Sequence, residues 1–307
     1  MKNNKQKSAA AVEINNIYKT YGKKTVVSDV SFTVEKGEIF GLIGPNGAGK
    51  TTTIRMMMDI IKPDSGEVYI LGEKFREETK NKIGYLPEER GLYKKQTVMD
   101  TIKYMAALKG VAVSNEHIEE MLKHVGMLPH KNKKIEEMSR GMGQLIQFLV
   151  TIVHNPPLVI LDEPFSGLDP VNTELLKGLI KKLKDEGKSI IFSTHQMSQV
   201  EELCDRLFMI NRGSKVLYGG LDEIKHKYRE NSVYITCDGN VGHLKGVTQS
   251  REKDGYTEFF LDNKTSPQDI LQQLVDKRIT VTRFEIGAPS LNEIFIRIAG
   301  VNGEGNE

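Results

Sequence analysis

The sequence predicts an α/β fold around a strand–loop–helix unit, with a smaller α+β unit behind it, and three observations predict it. Gly44-Pro45-Asn46-Gly47-Ala48-Gly49-Lys50-Thr51 separates a short apolar run, Ile39-Phe40-Gly41-Leu42-Ile43, from a stretch at 51–58 that can be helical. Far downstream, a second apolar run, Leu158 to Leu161, ends on Asp162 and Glu163. After about residue 220 the composition shifts to short strand-like segments and capped helices. At 307 residues the chain has room for two domains.

The elements follow in chain order. Residues 1–11, with Lys2, Lys5 and Lys7 and no apolar stretch, read as a disordered tail, not a signal peptide. From 12 to 43 the chain is β-rich. The alternation in Val30-Ser31-Phe32-Thr33-Val34 implies one buried face, as in an antiparallel sheet. Thr97-Val98-Met99-Asp100 opens a helix with an N-cap and an acid three residues on, and Gly110 ends it. Helices near 115–126 and 139–153 continue a helical insertion spanning about 88–155. Asp169 followed by Pro170 reads as the N-cap and first position of another helix. Ser189 to Thr194 reads as a strand before His195. In the last unit, 232–236 and 258–261 read as strands, and Ser266-Pro267 starts a helix running to about Arg278. Residues 279–285 alternate as a strand, and Ser290-Leu291-Asn292-Glu293 is a capping box.

The segment at 44–51 fits G-x-x-x-x-G-K-[ST], the phosphate-loop pattern. Its glycines let successive backbone N–H groups converge on an anion, and the helix start adds its dipole. Gly44, Pro45, Asn46, Gly47, Ala48, Gly49, Lys50, Thr51 and Thr52 are therefore the candidate triphosphate-binding residues. Lys50 supplies a full positive charge to the outer phosphates and the Thr51 hydroxyl can ligate Mg²⁺. Asp162 and Glu163 stand at the C-terminal end of their strand, where open parallel sheets bind ligands. Asp162 can hold Mg²⁺ directly or through water, and Glu163 can polarise the attacking water.

Four further segments carry a family resemblance: Met138-Ser139-Arg140-Gly141-Met142, Ser166-Gly167-Leu168-Asp169, His195 after its strand, and Tyr21 in Tyr18-Lys19-Thr20-Tyr21-Gly22. With the two motifs above, residues 12 to 220 resemble the ATP-binding subunits of ABC transporters. The resemblance implies a P-loop NTPase core of the ABC type, a mixed sheet with an antiparallel β subdomain and a helical subdomain carrying the signature. It also implies ATP and Mg²⁺ as ligands, and two such domains dimerising head to tail with each ATP between one phosphate loop and the partner's signature. On that basis Glu163, His195 and Lys50 are the candidate catalytic residues, with Thr51, Asp162 and Glu88 at the metal. Tyr21 would stack on adenine, while Ser139, Gly141 and Asp169 would act across the dimer. Ser139 and Asp169 can also be ordinary helix N-caps. Residues 221–307 resemble the C-terminal extension of some bacterial exporter ATPases. That unit can be a stabilising or dimer-supporting appendix or a ligand sensor.

Two departures stand out. Arg140 and Met142 replace the second Gly and the last Gln of L-S-G-G-Q, and Glu88 takes the place of the usual Gln after Pro87. The segments 83–93 and 138–142 look most like the sodium-extrusion and drug- or peptide-export branch. In that reading the membrane pathway is a separate permease, met by the segment Glu88 to Tyr93, and the subunit is cytoplasmic, peripheral on the inner face of the membrane. The ATPase half is a second copy of the chain or a similar subunit. The alternatives are a soluble ABC-type ATPase acting on ribosomes or DNA, or a regulator that hydrolyses little. One phosphate loop, no long heptad run and a net charge of only +2 argue against nucleic acid. The 38% hydrophobic and 27% charged content is that of a soluble globular protein. Cys204 and Cys237 lack metal-like spacing and read as free thiols, no stretch reaches ~18 apolar residues, and the remaining six histidines read as surface residues.

Overall fold

A computed structural model of the chain describes residues 10–301 apart from 90, 240, 254 and 288. The chain divides into two compact units, one ending at Gly220 and one beginning at Leu221.

In the first unit, β1 (Ala10–Tyr21) and β2 (Lys24–Glu35) form an antiparallel hairpin. The short turn between them uses Gly22 at φ +59°. β3 (Ile39–Ile43) leads through the phosphate loop into α1 (Lys50–Met57), and β4 (Ser65–Ile70), β5 (Glu73–Lys74) and β6 (Ile83–Leu86) follow. The helical insertion holds α2 (Val98–Leu108), α3 (Asn115–His124) and α4 (Arg140–Ile152). Then come β7 (Leu158–Asp162), α5 (Pro170–Asp185), β8 (Ser189–Thr194), α6 (Met197–Leu203), β9 (Arg206–Asn211) and β10 (Ser214–Gly220). Two sheets result, β2-β1-β4-β5 and β10-β9-β3-β8-β7-β6. The second is parallel from β9 to β6, and its central strands β3, β7 and β8 are buried at every position. A single core joins the sheets, with Phe32 stacked on Phe40 at 5.2 Å between ring centres. The alternation at 30–34 puts Val30, Phe32 and Val34 in that core.

Register places the chemistry. Asp162 on β7 pairs with Ser193 on β8, and Thr194 on β8 pairs with Ile43 on β3. The C-terminal ends of three neighbouring parallel strands therefore carry the phosphate loop, the Asp162-Glu163 pair and His195 side by side.

The second unit contains α7 (Leu221–Lys227), β11 (Ser232–Asp238), β12 (Val247–Lys253), β13 (Tyr256–Leu261), α8 (Pro267–Asp276), β14 (Thr280–Ile286) and α9 (Leu291–Val301). Its antiparallel sheet, ordered β12-β13-β11-β14, buries Val233, Ile235, Phe259 and Leu261 against Ile270 and Leu274 of α8.

Several expectations need correction. Ala10 and Ala11 belong to β1 and are buried, Ala10 paired with Glu35 and the Ala11 carbonyl accepting from Leu71 N–H at 2.8 Å, so the expected tail overran by two residues. Residues 1–9 lie outside the described residues, as does Arg90. Ser139 is the N-cap of α4, as one reading of the sequence had it, accepting a bond from Met142 N–H at 3.2 Å. His130 and His154 are half-buried where surface positions were expected: each buries its Nδ1, and His154 Nε2 meets the Ile83 carbonyl at 3.2 Å.

Candidate active site

The phosphate loop is shaped by glycines that no other residue can replace without displacing backbone. Gly44 has φ +156°, and a methyl group there would lie 2.1 Å from the Ile210 carbonyl oxygen. Gly49 has φ +113°, and a methyl group there would fall 2.8 Å from the Val26 carbonyl oxygen. β9, through Ile210, and the β1–β2 hairpin thus press on the loop from behind and fix the tight path on which its unpaired N–H groups can converge on an anion. Ala48 is buried in this wall, and its N–H closes a turn onto the Pro45 carbonyl at 3.1 Å. Asn46, Gly47, Gly49, Lys50, Thr51 and Thr52 line a cavity of about 210 Å³, together with Val26, Glu88 and Glu163.

Lys50 is only 6% exposed. Its Nζ donates to the carbonyls of Gly44 at 2.8 Å and Pro45 at 3.3 Å and stands 3.4 Å from Glu163 Oε1. The His195 ring meets the same carboxylate, its Nδ1 3.1 Å from both Glu163 oxygens. Glu163 itself has φ +48°, a left-handed conformation costly for a residue with a Cβ. That turn separates its side chain from Asp162 and aims it into the cavity.

Asp162 is fully buried. Its Oδ1 accepts bonds from Ser193 Oγ and, at 3.4 Å, from Thr51 Oγ1. Its Oδ2 has no hydrogen-bond partner. Burial pushes its pKa up, opposed by the bonds from Ser193 and Thr51. An orphaned buried oxygen beside a threonine hydroxyl, with Glu88 on the same cavity wall, is a hard-oxygen donor set that fits Mg²⁺. Among the described residues no group of three His, Cys, Asp or Glu side chains can hold an ion alone. Mg²⁺ needs only one or two carboxylates where phosphate and water complete its shell.

Tyr21 ends β1 with its ring 51% exposed and Lys19 Nζ 5.7 Å from the ring centre, and it does not line the cavity. Ser139 and Asp169 cap α4 and α5, each accepting from the N–H three residues on. A methyl group at Gly141 would sit 3.7 Å from Asp169 Oδ2, so these two candidates are neighbours, and the first-turn backbone of α4 is accessible above them. Two residues escaped the sequence reading. Val26 lines the cavity, and Ser193 bonds both Asp162 Oδ1 and Glu163 N–H, the latter at 2.9 Å. Ser193 had a signal: it is the penultimate residue of β8, paired with Asp162 on the strand that delivers the carboxylates.

Comparison with known proteins fits this geometry. The ABC transporter family profile matches residues 27–166, and the profile of the ATP-binding protein DrrA1-3-like C-terminal domain matches 219–299. The uncharacterized ABC transporter ATP-binding protein YhaQ of Bacillus subtilis is 41% identical over 293 residues, 94% of this chain and 98% of that protein. The bacitracin transport ATP-binding protein BcrA of Enterococcus faecalis is 30% identical over 301 residues, 95% of this chain and 97% of its own. A solved dimeric ATP-binding cassette in a post-hydrolysis state, bound to ADP and phosphate, superposes with a TM-score of 0.64 at 25% identity, covering 68% of this chain and 98% of that one. With a phosphate loop, a buried Asp and a Glu held between Lys50 and His195, the chain belongs to the ABC transporter ATP-binding proteins, as an ATP-hydrolysing subunit of the exporter-type branch with a DrrA-like C-terminal domain.

Proposed function

We propose that two such ATPase units close head to tail on ATP, hydrolyse it at Glu163, and so drive a separate membrane-spanning permease. The observation that carries this reading is the placement of Glu163 between Lys50 Nζ and His195 Nδ1 on the wall of the phosphate-loop cavity. The loop N–H groups and Lys50 bind the β- and γ-phosphates. Thr51, Asp162 and Glu88 would hold Mg²⁺, whose charge offsets that of the phosphates. Glu163 accepts the proton of the attacking water, and His195 keeps the carboxylate aimed at it while reaching the γ-phosphate edge. Tyr21 stacks on the adenine from the hairpin end. Ser139, the Gly141 N–H and Asp169 serve the partner's nucleotide across an isologous interface.

The solved cassette with ADP and phosphate is a dimer, which supports closure as the working step. No helix among the described residues is long and apolar enough to cross a membrane, so another polypeptide would supply the pathway. Its contact is the segment from Glu88 to Tyr93, beside a mainly apolar groove of about 420 Å³. Leu92, Met105, Leu108, Val150 and His154 line that groove, and Tyr93 is half exposed next to it, edge-on to Tyr104. Docking there would hold the subunit at the inner face of the membrane, in the cytoplasm. BcrA carries bacitracin transport in its name, and export of a drug- or peptide-like substrate is the extension to this chain.

The test is sizing of Glu163→Gln with and without ATP–Mg²⁺. The variant keeps the phosphate loop and loses the base, so it should run as a dimer with ATP and as a monomer without it. The double variant with Lys50→Ala should stay monomeric. A Glu163→Gln chain that binds ATP and remains a monomer at all concentrations would remove the self-paired dimer from the account.

A further inference from the structure

We infer that Arg140 is a positioning residue that ties the catalytic setting of a chain's own Glu163 to its signature segment, an inference that rests on the ATP-closed dimer proposed above. The first two turns of α4 meet the loop after β7 at three points. Gln144 Nε2 donates to the Pro164 carbonyl at 3.0 Å inside the protein. A methyl group at Gly141 would stand 3.7 Å from both Asp169 Oδ2 and Leu168 Cδ2. The third point is made by Arg140 itself. A methyl group at Gly167 would fall 2.2 Å from Arg140 Nε and 2.6 Å from its Cζ, so the guanidinium lies against the bare Cα of Gly167. Gly167 has φ +74°, which favours glycine in its backbone, and the arginine fills the space that a side chain there would take.

From Gly167 the route to the reacting group is short. Ser166 N–H donates to the Glu163 carbonyl at 3.1 Å, and Leu168 N–H to the Phe165 carbonyl at 3.3 Å. The loop is therefore a turn hung on the backbone of Glu163, whose left-handed conformation sets where its carboxylate points. A shift of Arg140 against Gly167 moves that turn, and the turn carries Glu163 with it.

Helix stability does not explain the arginine. It occupies the first position of α4, where a cation opposes the helix dipole, and no acidic residue stands in that turn. Among the described residues no carboxylate pairs with it, and its side chain is exposed beside Ser139 at the surface that would face the partner's nucleotide. Contact with Gly167 is what its planar, forked head makes and what a lysine ammonium cannot reproduce.

The experiment compares Arg140→Lys and Arg140→Gly for kcat, KM for ATP and thermal midpoint, and repeats both on the Glu163→Gln background for ATP-driven dimerisation. Both variants should lower kcat about 10-fold, as loss of placement rather than of binding does. KM and the midpoint should stay within error, and lysine should fail to rescue although it keeps the charge. Wild-type kcat in Arg140→Lys with loss in Arg140→Gly would make Arg140 a source of charge only and overturn the inference, as would wild-type kcat in both. If Glu163→Gln never dimerises on ATP, the closed dimer falls, and the kcat of Arg140→Lys still decides whether the contact positions Glu163.

Discussion

The phosphate cleft and the sheet of the C-terminal unit both bury ionisable side chains, and they treat them in opposite ways. In the cleft, Asp162 is buried with one oxygen unbonded, its charged form disfavoured by desolvation, and Glu163 is held in a strained backbone conformation. In the C-terminal unit, Glu258 is only 3% exposed and its Oε2 also lacks a hydrogen bond, but the Lys253 ammonium stands 3.4 Å from that oxygen and bonds Glu293 of α9. The bond to Glu293 holds the Lys253 ammonium above its ordinary range, and the rings of Tyr234 and Tyr256 each lie 5.8 Å from it. Buried charge alone does not mark chemistry. A strained carboxylate on a cavity wall, next to an Asp with no ion pair among the described residues, does, whereas a carboxylate with an ammonium beside it fastens a helix to a sheet.

That contrast can be broken at four points. The largest effect belongs to the cleft: Glu163→Gln should lower ATP turnover by about 10²–10⁴-fold while ATP still binds, measured by phosphate release and nucleotide titration. Turnover within tenfold of the parent would mean that the strained carboxylate is not the base. Ser193→Ala should come next, because it strips Asp162 Oδ1 and the Glu163 N–H of a shared partner inside the protein. A loss of about 1–3 kcal/mol in denaturant unfolding is expected, with a fall in kcat. Lys253→Met tests the other side of the comparison. It should destabilise the C-terminal unit by about 1–3 kcal/mol, less than a fully buried pair because Lys253 keeps part of its side chain in water, and leave ATP turnover per folded chain unchanged. Lost turnover at full stability would give that unit a part in the chemistry.

The smallest effect is a pH slope. Burial, with Lys109 nearby, depresses the pKa of His154 below its ordinary value near 6.5. The unfolded histidine therefore takes a proton before the folded one does. Its stability contribution is complete above about 6.5 and is lost as pH falls through that value toward the lower folded pKa. His154→Gln should flatten the stability curve over that acidic interval, and an unchanged slope would assign the pH dependence elsewhere.

Much of the fold was legible because its signals are local. The glycines of 44–49 between an apolar strand and a helix, the caps Thr97, Ser139, Asp169 and Ser266, and the alternation at 30–34 each act within one turn or strand of themselves. β12 escaped because it is an edge strand whose residues, Gln249 to Glu252 above all, are exposed, so no apolar alternation marks it. α7 lacks a flanking cap signal and buries only Leu221 and Ile224. In the site, sequence order named the residues but not their meetings. That His195, though exposed, meets the Glu163 carboxylate, that Ser193 bridges the Asp-Glu pair, and that Arg140 rests on Gly167 depend on the register of β7 with β8 and on how α4 is seated. Neither leaves a periodic trace in the chain.

The most direct test of the account is the identity of the nucleotide that Glu163→Gln retains after incubation with ATP–Mg²⁺ and rapid gel filtration. If Glu163 is the base in a cleft that otherwise binds normally, the retained nucleotide is intact ATP, while the parent protein under the same treatment holds ADP. ADP recovered from Glu163→Gln at the parent's rate would contradict the central claim, because water would then be activated by a group other than the one held between Lys50 and His195.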